Sequence, residues 1–380
     1  MTRDDEKLDS VILNYHDSWL RGNPLSSKPE KKSNTMYIAI AVIAIIVIAA
    51  VAGVYLYQPT APTPTTTTIK IAFITTAPAE EAWSGVIHKA IQHAVEVYGA
   101  DKLEYKWTEN VQYADVPRIM REYGTNNFNV VIVDAFGCDD TARAAAKDYP
   151  NTYFVLGTDN HVFGDNVAVF DDWIHEPAYI AGMMAGKLTK TNTVGVVGGV
   201  AVPEVNRLIN AFKAGAKATN PAVKVKVAFI GVWFDPPKAK EAAISQIDAG
   251  ADVLYGERQG VIEACKERGI PVFGNLQDQW ELAPDVVLTG PVWDMWPTVK
   301  HVVDMVLEKK WVAEDLRFYS MMQKGGALLA PWHDWETRLR PDIVQRMKDT
   351  GAVALAEDTA NKIDTGAIAP IIDESEPMSD

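Results

Sequence analysis

The sequence predicts an α/β protein of two doubly wound lobes, carried behind one long apolar helix. Three observations predict it. Short apolar runs alternate with helical stretches from Ile69 to Phe273, and the series runs through twice. Such alternation means parallel sheets with helices on both faces. The stretch from Ile69 to Asp380, about 310 residues, is too long for one small core and calls for two lobes. Met36–Tyr57 (MYIAIAVIAIIVIAAVAGVYLY) carries no charge, and a membrane-spanning helix needs about 20 such residues.

Residues 1–35 are polar apart from Val11, Ile12, Leu13, Trp19 and Leu20, and are read as a cytoplasmic tail. Met36–Tyr57 is longer than the roughly 7–15 apolar residues of a cleavable signal and starts late, so it is read as an uncleaved signal anchor. Arg21, Lys28, Lys31 and Lys32 precede it and only Lys70 lies near its other end. The basic flank stays in the cytoplasm, which places the C-terminal part outside. Residues 58–68 (QPTAPTPTTTT) cannot pack a core and read as an extended linker.

The large domain is expected over 69–375, with one lobe at about 69–172 plus C-terminal returns and the other at about 173–288. In the first lobe, strands are read at Ile69–Ile74, Leu103–Trp107, Val130–Val133, Tyr153–Leu156 and Val167–Val169. Helices are read at Trp83–Tyr98, Val116–Tyr123 and Thr141–Lys147. The face Trp83, Val86, Ile87, Ala90, Ala94, Val97 has the helical period. In the second lobe, helices at Glu176–Leu188, Glu204–Thr219, Pro237–Ala249 and Val261–Arg268 separate strands at Thr193–Val197, Val223–Phe229, Val253–Tyr255 and Val272–Phe273.

Composition excludes several functions. The formal charge of −14 leaves no basic stripe for nucleic acid. Cys138 and Cys265 are far apart in separate α/β units and read as buried thiols rather than a bridge. No CxxC, HExxH or histidine cluster supports a metal site, and no cofactor is implied. Gly195–Gly199 (GVVGG) follows a strand, but its spacing departs from a dinucleotide fingerprint and fits a tight strand–helix turn. No GxSxG motif, phosphate-binding loop or nucleophile–base pair is legible, so catalysis has no support.

Ligands bind doubly wound sheets at the carboxyl ends of the strands. Four strand ends carry unusual residues: TTAPAEEAW ending in Trp83, DAFGCDD with Phe136, Gly137 and Asp140, VWFDPPK with Trp233, Phe234 and Asp235, and NLQDQW with Asp278. An aromatic at a strand end is often lid packing, and Asp140 and Asp235 both suit helix N-caps. Three ends combining an aromatic with Asp nevertheless exceed what capping requires. Facing aromatics make a slot for a flat ligand, and a carboxylate accepts hydrogen bonds from ring N–H or amino groups, so the slot suits a purine base. Gln259, in the GERQG loop, reads either as a base-edge contact or as a simple turn. Glu176 opens a helix and reads either as a site residue or as part of the lobe connection.

Several runs resemble the basic-membrane-protein family of ABC-transporter substrate-binding proteins. They are EPAYIAGMMAGKLTKTNTVGVVGG (Glu176–Gly199), VPEVNRLINAFKAGAKATNP (Val202–Pro221), WFDPPKAKEAAISQIDAGADVL (Trp233–Leu254), ERGIPVFG (Glu267–Gly274), DVVLTG (Asp285–Gly290) and GAIAPI (Gly366–Ile371). The resemblance implies a type I periplasmic-binding-protein fold, in which two Rossmann-like lobes joined by three crossovers close on a ligand. It implies delivery of purine nucleosides or bases to a permease and ATPase, with a monomer as the default state. It also implies that Trp233 stacks on the base, Asp140 hydrogen-bonds it and an aromatic near Trp83 closes the other face.

The chain departs from the family's nucleoside pattern twice. A GVDxDQ-like turn reads GNLQDQ here, with Leu276 in place of the first Asp and only Asp278 retained, and the strand ending LTGPVW puts Trp293 where a Lys is found. Lost sugar contacts favour a free base such as adenine over a nucleoside. Two alternatives are a membrane-anchored sensor of the same fold and, behind it, a surface nucleoside hydrolase.

Overall fold

The computed structural model describes residues 34–56, 68–78, 80–158 and 161–380. The expected cytoplasmic tail and linker, apart from a few boundary residues, lie outside the described residues. The chain divides into two units, Met1–Thr65 and Thr66–Asp380. The first contains helix α1, Asn34–Leu56, with Ile38, Ile43, Ile46 and Ile48 all more than half exposed. Among the described residues no helix is long and apolar enough to cross a membrane. The expected span ends at Tyr57, outside them.

The second unit holds two parallel sheets. In sequence order the first contains β1 (Ile69–Ile74), α2 (Ala82–Tyr98), β2 (Leu103–Thr108), α3 (Val116–Thr125), β3 (Val130–Asp134), α4 (Asp139–Lys147), β4 (Tyr153–Gly157) and β5 (Val167–Phe170). Its strand order is β2-β1-β3-β4-β5, with Ile71 opposite both Tyr105 and Val130. The run IKIAFI is apolar on both faces because both faces are covered. Ile69, Ile71 and Phe73 pack into one cluster, and Ala72 and Ile74 into another across the sheet.

The second lobe follows as α5 (His175–Leu188), β6 (Thr193–Gly198), α6 (Pro203–Thr219), β7 (Lys224–Phe229), α7 (Pro236–Asp248), β8 (Leu254–Gly256), α8 (Val261–Arg268) and β9 (Val272–Phe273). Its order is β7-β6-β8-β9, the arrangement of the first sheet one strand shorter. Helices α5 and α6 pack backbone to backbone. A Cβ on Gly182 would collide with the Phe212 carbonyl, and one on Gly215 with that of Tyr179, so only glycine permits this approach. Asp235 caps α7 by accepting from Lys238 N at 3.1 Å, as its position before two prolines suggests.

Beyond Phe273, where the sequence offered no strand–helix alternation, the chain forms β10 (Pro291–Trp293), α9 (Trp296–Leu307), β11 (Ala327–Leu329), α10 (Trp335–Arg338), α11 (Pro341–Thr350) and α12 (Ala352–Asp364). Strands β10 and β11 pair antiparallel, with Val292 opposite Leu328. Helix α9 returns to pack on α2 of the first lobe, and α12 returns to α5 of the second. The chain thus passes between the lobes three times, after β5, before α9 and through β11. At the first passage Arg207 of α6, itself 1% exposed, holds Asp171 at 2.6 Å and Glu374 at 2.6 Å. Cys138 and Cys265 are free and buried, one in each lobe.

Candidate ligand-binding site

Both sheets place their first strand second in the order, between a strand that follows it on one side and one reached on the other. In a doubly wound sheet that reversal opens a crevice beyond the carboxyl ends of the strands. The two crevices face each other across a half-open cavity of about 170 Å³. The first lobe lines it with Thr76–Pro78 after β1, Glu81 and Trp83 at the start of α2, and Asp134 and Phe136 at the end of β3. The second contributes Glu204 after β6, Trp233 and Phe234 after β7, and Arg258 after β8.

The wall is aromatic. Phe136 meets Trp233 edge to face, with ring centroids 5.0 Å apart and planes at 86°. Tyr113 leans on Phe136 at 6.5 Å. Trp83 stacks on Phe170 at 5.7 Å. The Arg258 guanidinium lies 5.2 Å from the Trp233 ring centroid, a cation–π contact that fixes the indole.

The polar groups form a connected network. Arg258 donates to Glu257 through Nε at 2.8 Å and through a second nitrogen at 2.6 Å, a bidentate pair. It also reaches Glu81 Oε1 at 3.4 Å. Glu257 accepts in addition from Gly199 N at 2.9 Å. Glu81 caps α2 by accepting from Ser84 N at 2.9 Å. Asp134 accepts from Thr76 Oγ1; burial pushes its carboxyl pKa up, against the opposing pull of the Thr76 and Phe136 hydrogen bonds. Glu204 is 7% exposed, and its Oε1 has no partner among the described residues. Burial, then the nearby Asp171 charge, push its pKa up to about 8.

The lobes also touch directly around the start of α2. Gln259 Nε2 donates to the Glu80 carbonyl at 3.0 Å and Gln277 Nε2 to the Ala82 carbonyl at 3.0 Å. Gly260, at φ 109, starts α8 under the Pro236 carbonyl, where a Cβ has no room.

Of the residues singled out in the sequence, Trp83, Phe136, Trp233 and Phe234 line this cavity. The others do not. Asp140 is exposed in the first turn of α4, does not cap that helix and does not line the cavity; the carboxyl that this segment brings to the cavity is Asp134, six residues earlier, the last residue of β3. Asp278 pairs with His333. Gln259 joins the lobes at the rim. Glu176 accepts from Met322 N at 2.8 Å and ties α5 to the third passage. Trp293 is buried behind Trp83, at 5.6 Å, and donates to Ser320 Oγ at 2.9 Å.

Sequence reading missed Glu81, Asp134, Glu204 and Arg258. Asp134 ends β3 and Arg258 follows β8 directly, where the strand-end rule marks them, whereas Glu81 and Glu204 stand further on, at the starts of α2 and α6. The further requirement of an aromatic beside an Asp passed over Glu204 and Arg258.

Two parallel-sheet lobes, three passages and an interlobe cavity define a solute-binding protein. The chain belongs to the Bmp family of PnrA-like ABC-transporter substrate-binding proteins, whose model matches residues 69–323. It is 31% identical over 287 residues to a Haloferax volcanii protein named as a glucose-binding protein of an ABC transporter, covering 75% of this chain and 70% of the relative. It is 30% identical over 306 residues to a purine-binding protein of Brucella abortus, covering 80% and 83%. A solute-binding protein structure from Aeropyrum pernix superposes with a TM-score of 0.64 at 17% identity, covering 80% of this chain and 94% of that one; this likeness concerns the fold alone.

Proposed function

We propose that this chain captures a purine-type ligand between its lobes and hands it to an ABC permease with its ATPase. A free base such as adenine is favoured over a nucleoside. The observation that carries the reading is the cavity itself, where flat rings from both lobes (Trp83 and Phe136 from one, Trp233 from the other) border a small space with carboxyl and guanidinium groups. Ring-on-base stacking is worth about 1–3 kcal/mol per base and tolerates any base. Leu276 and Trp293, where nucleoside binders of the resembled family are polar, are 1% and 2% exposed and offer no sugar contact at the cavity wall. The similarity to a purine-binding protein of Brucella abortus supports the same class.

The anchor belongs to this proposal. An uncharged run reaches from Met36 to Tyr57, and α1 covers most of it. The basic residues before it favour a single pass with the solute-binding domain outside the cell membrane. There the chain acts as a monomer beside its permease, without catalysis. Recovery of the protein from washed membranes, and its release when residues 1–68 are deleted, test this part.

The ligand is tested by thermal shift of the purified chain with adenine, guanine, hypoxanthine, adenosine, guanosine and glucose. A ligand at 100 times its Kd stabilises by about 2.7 kcal/mol, a shift of several degrees. A shift with adenine and little with adenosine supports the reading. A shift with nucleosides alone removes the base preference, and a shift with glucose alone overturns the purine assignment in favour of the sugar named for the Haloferax relative.

A further inference from the structure

Glu204 is the one cavity-lining carboxyl that no described group satisfies. It stands in the first turn of α6, 7% exposed, and lines the cavity, with its Oε1 buried and unpartnered. The charges that face it come from three directions. Asp171 and Asp172 lie in the first passage between lobes, Glu257 and Arg258 follow β8, and Arg207 is one turn along its own helix, while Glu81 at the start of α2 joins them through Arg258. Both guanidiniums pair elsewhere: Arg207 with Asp171, Asp172 and Glu374, its Nε alone unpartnered, and Arg258 with Glu257 and Glu81. Glu204 is thus a buried acid with no cation of its own. Carboxyl groups in that position keep their proton, because burial disfavours the charged form.

A protonated carboxyl differs in kind from a carboxylate. It offers one O–H donor and one carbonyl acceptor on adjacent atoms, whereas the carboxylate only accepts. An aminopurine carries the complementary pair, a ring nitrogen that accepts beside an amino group that donates. We propose that Glu204 reads the ligand as a neutral acid, donating to a purine ring nitrogen and accepting from the neighbouring amino group. This rests on the purine reading above and adds to it the edge that is recognised. It also makes capture pH-dependent: binding is strongest while Glu204 holds its proton and weakens as the proton is lost.

The test is calorimetric titration of the full chain, in detergent, with adenine and with unsubstituted purine from pH 6.5 to 9, for wild type, Glu204→Gln and Glu204→Ala. The amide of Glu204→Gln keeps a donor and an acceptor side by side and does not titrate. For wild type, loss of one proton near pH 8 raises the adenine Kd about tenfold between pH 7 and 9. Glu204→Gln binds adenine within a few-fold of wild type at pH 7 with a flat profile, and Glu204→Ala binds at least about tenfold more weakly. Purine, lacking the amino group, is weakened in wild type and responds less to either substitution. Asp172, buried with no hydrogen-bond partner and an Arg207 nitrogen at 3.8 Å, and Asp134 of the cavity wall are the competing sources of a pH slope; a slope that persists in Glu204→Gln assigns it to them and overturns the proposal. A flat wild-type profile overturns it too, while leaving the purine pocket standing. If no purine binds wild type at any pH, the purine reading falls and the inference with it.

Discussion

The two lobes share a strand order but equip the cavity in different ways. The first lobe, β2-β1-β3-β4-β5, supplies Thr76, Trp83, Asp134 and Phe136, and their supports are local: Thr76 holds Asp134, and Trp83 rests on Phe170. The second, β7-β6-β8-β9, supplies Glu204, Trp233 and Arg258, and these depend on buried charge. Arg258 needs Glu257, Glu257 needs Gly199 N, and Trp233 lies against Arg258. The difference teaches that a site can be half wall and half electrostatic device. Substitutions of the ring walls, Trp233 included, are expected to touch binding alone, whereas those of the second lobe's buried charges touch folding as well.

The sharpest way to break that contrast is Arg258→Ala. It strands Glu257 and Glu81 as buried charges, and removing one partner of a buried pair costs about 3–5 kcal/mol. Urea unfolding of the variant should show a loss of that size; a loss under 1 kcal/mol would remove the distinction between the lobes. Trp233→Ala comes next, weakening adenine by about 1–3 kcal/mol in titration calorimetry and leaving the melting temperature near wild type. A third test reads the buried acid through stability. Glu204 titrates near 4.5 unfolded and near 8 folded, so the folded state binds the proton more tightly. Its contribution is fully present below about pH 4.5 and is lost as pH rises through about 8. The melting temperature of wild type minus that of Glu204→Gln should therefore fall between pH 5 and 8; a constant difference would mean the acid is solvated. The smallest effect belongs to Asp140→Asn, exposed on the first turn of α4. Both affinity and stability should stay within about 0.5 kcal/mol of wild type, and a marked loss of affinity would restore this residue to the site.

The fold was legible because its signal is periodic and local. Strands such as Ile69–Ile74, and helices such as Val261–Arg268, coincide with their sequence readings because apolar runs and glycine breaks bound them closely. The region after Phe273 was not, since β10 and β11 are three residues each and exist through pairing across a long loop. The site divides in the same way. The aromatic walls follow from residue type at a strand end. The displacement from Asp140 to Asp134 depends on where a strand stops, a matter of one turn of chain. Glu204 and Arg258 acquire their character only from burial beside one another, and no spacing in the sequence encodes that. Trp293 illustrates the converse: an aromatic in a suggestive position whose indole N–H is satisfied by Ser320, deep in the core.

Each lobe also carries one free cysteine beneath its surface, Cys138 in the first and Cys265 in the second. Burial pushes both thiols well above their ordinary range, Cys138 up to about 12, so neither reacts while its lobe is intact. Each becomes a clock for local opening. The rate at which a disulfide reagent traps Cys138, compared with Cys265 in the same sample, gives the opening free energy of the two halves separately, without any engineered label. Repeating the measurement with ligand present would show which half the captured solute tightens, and by how much.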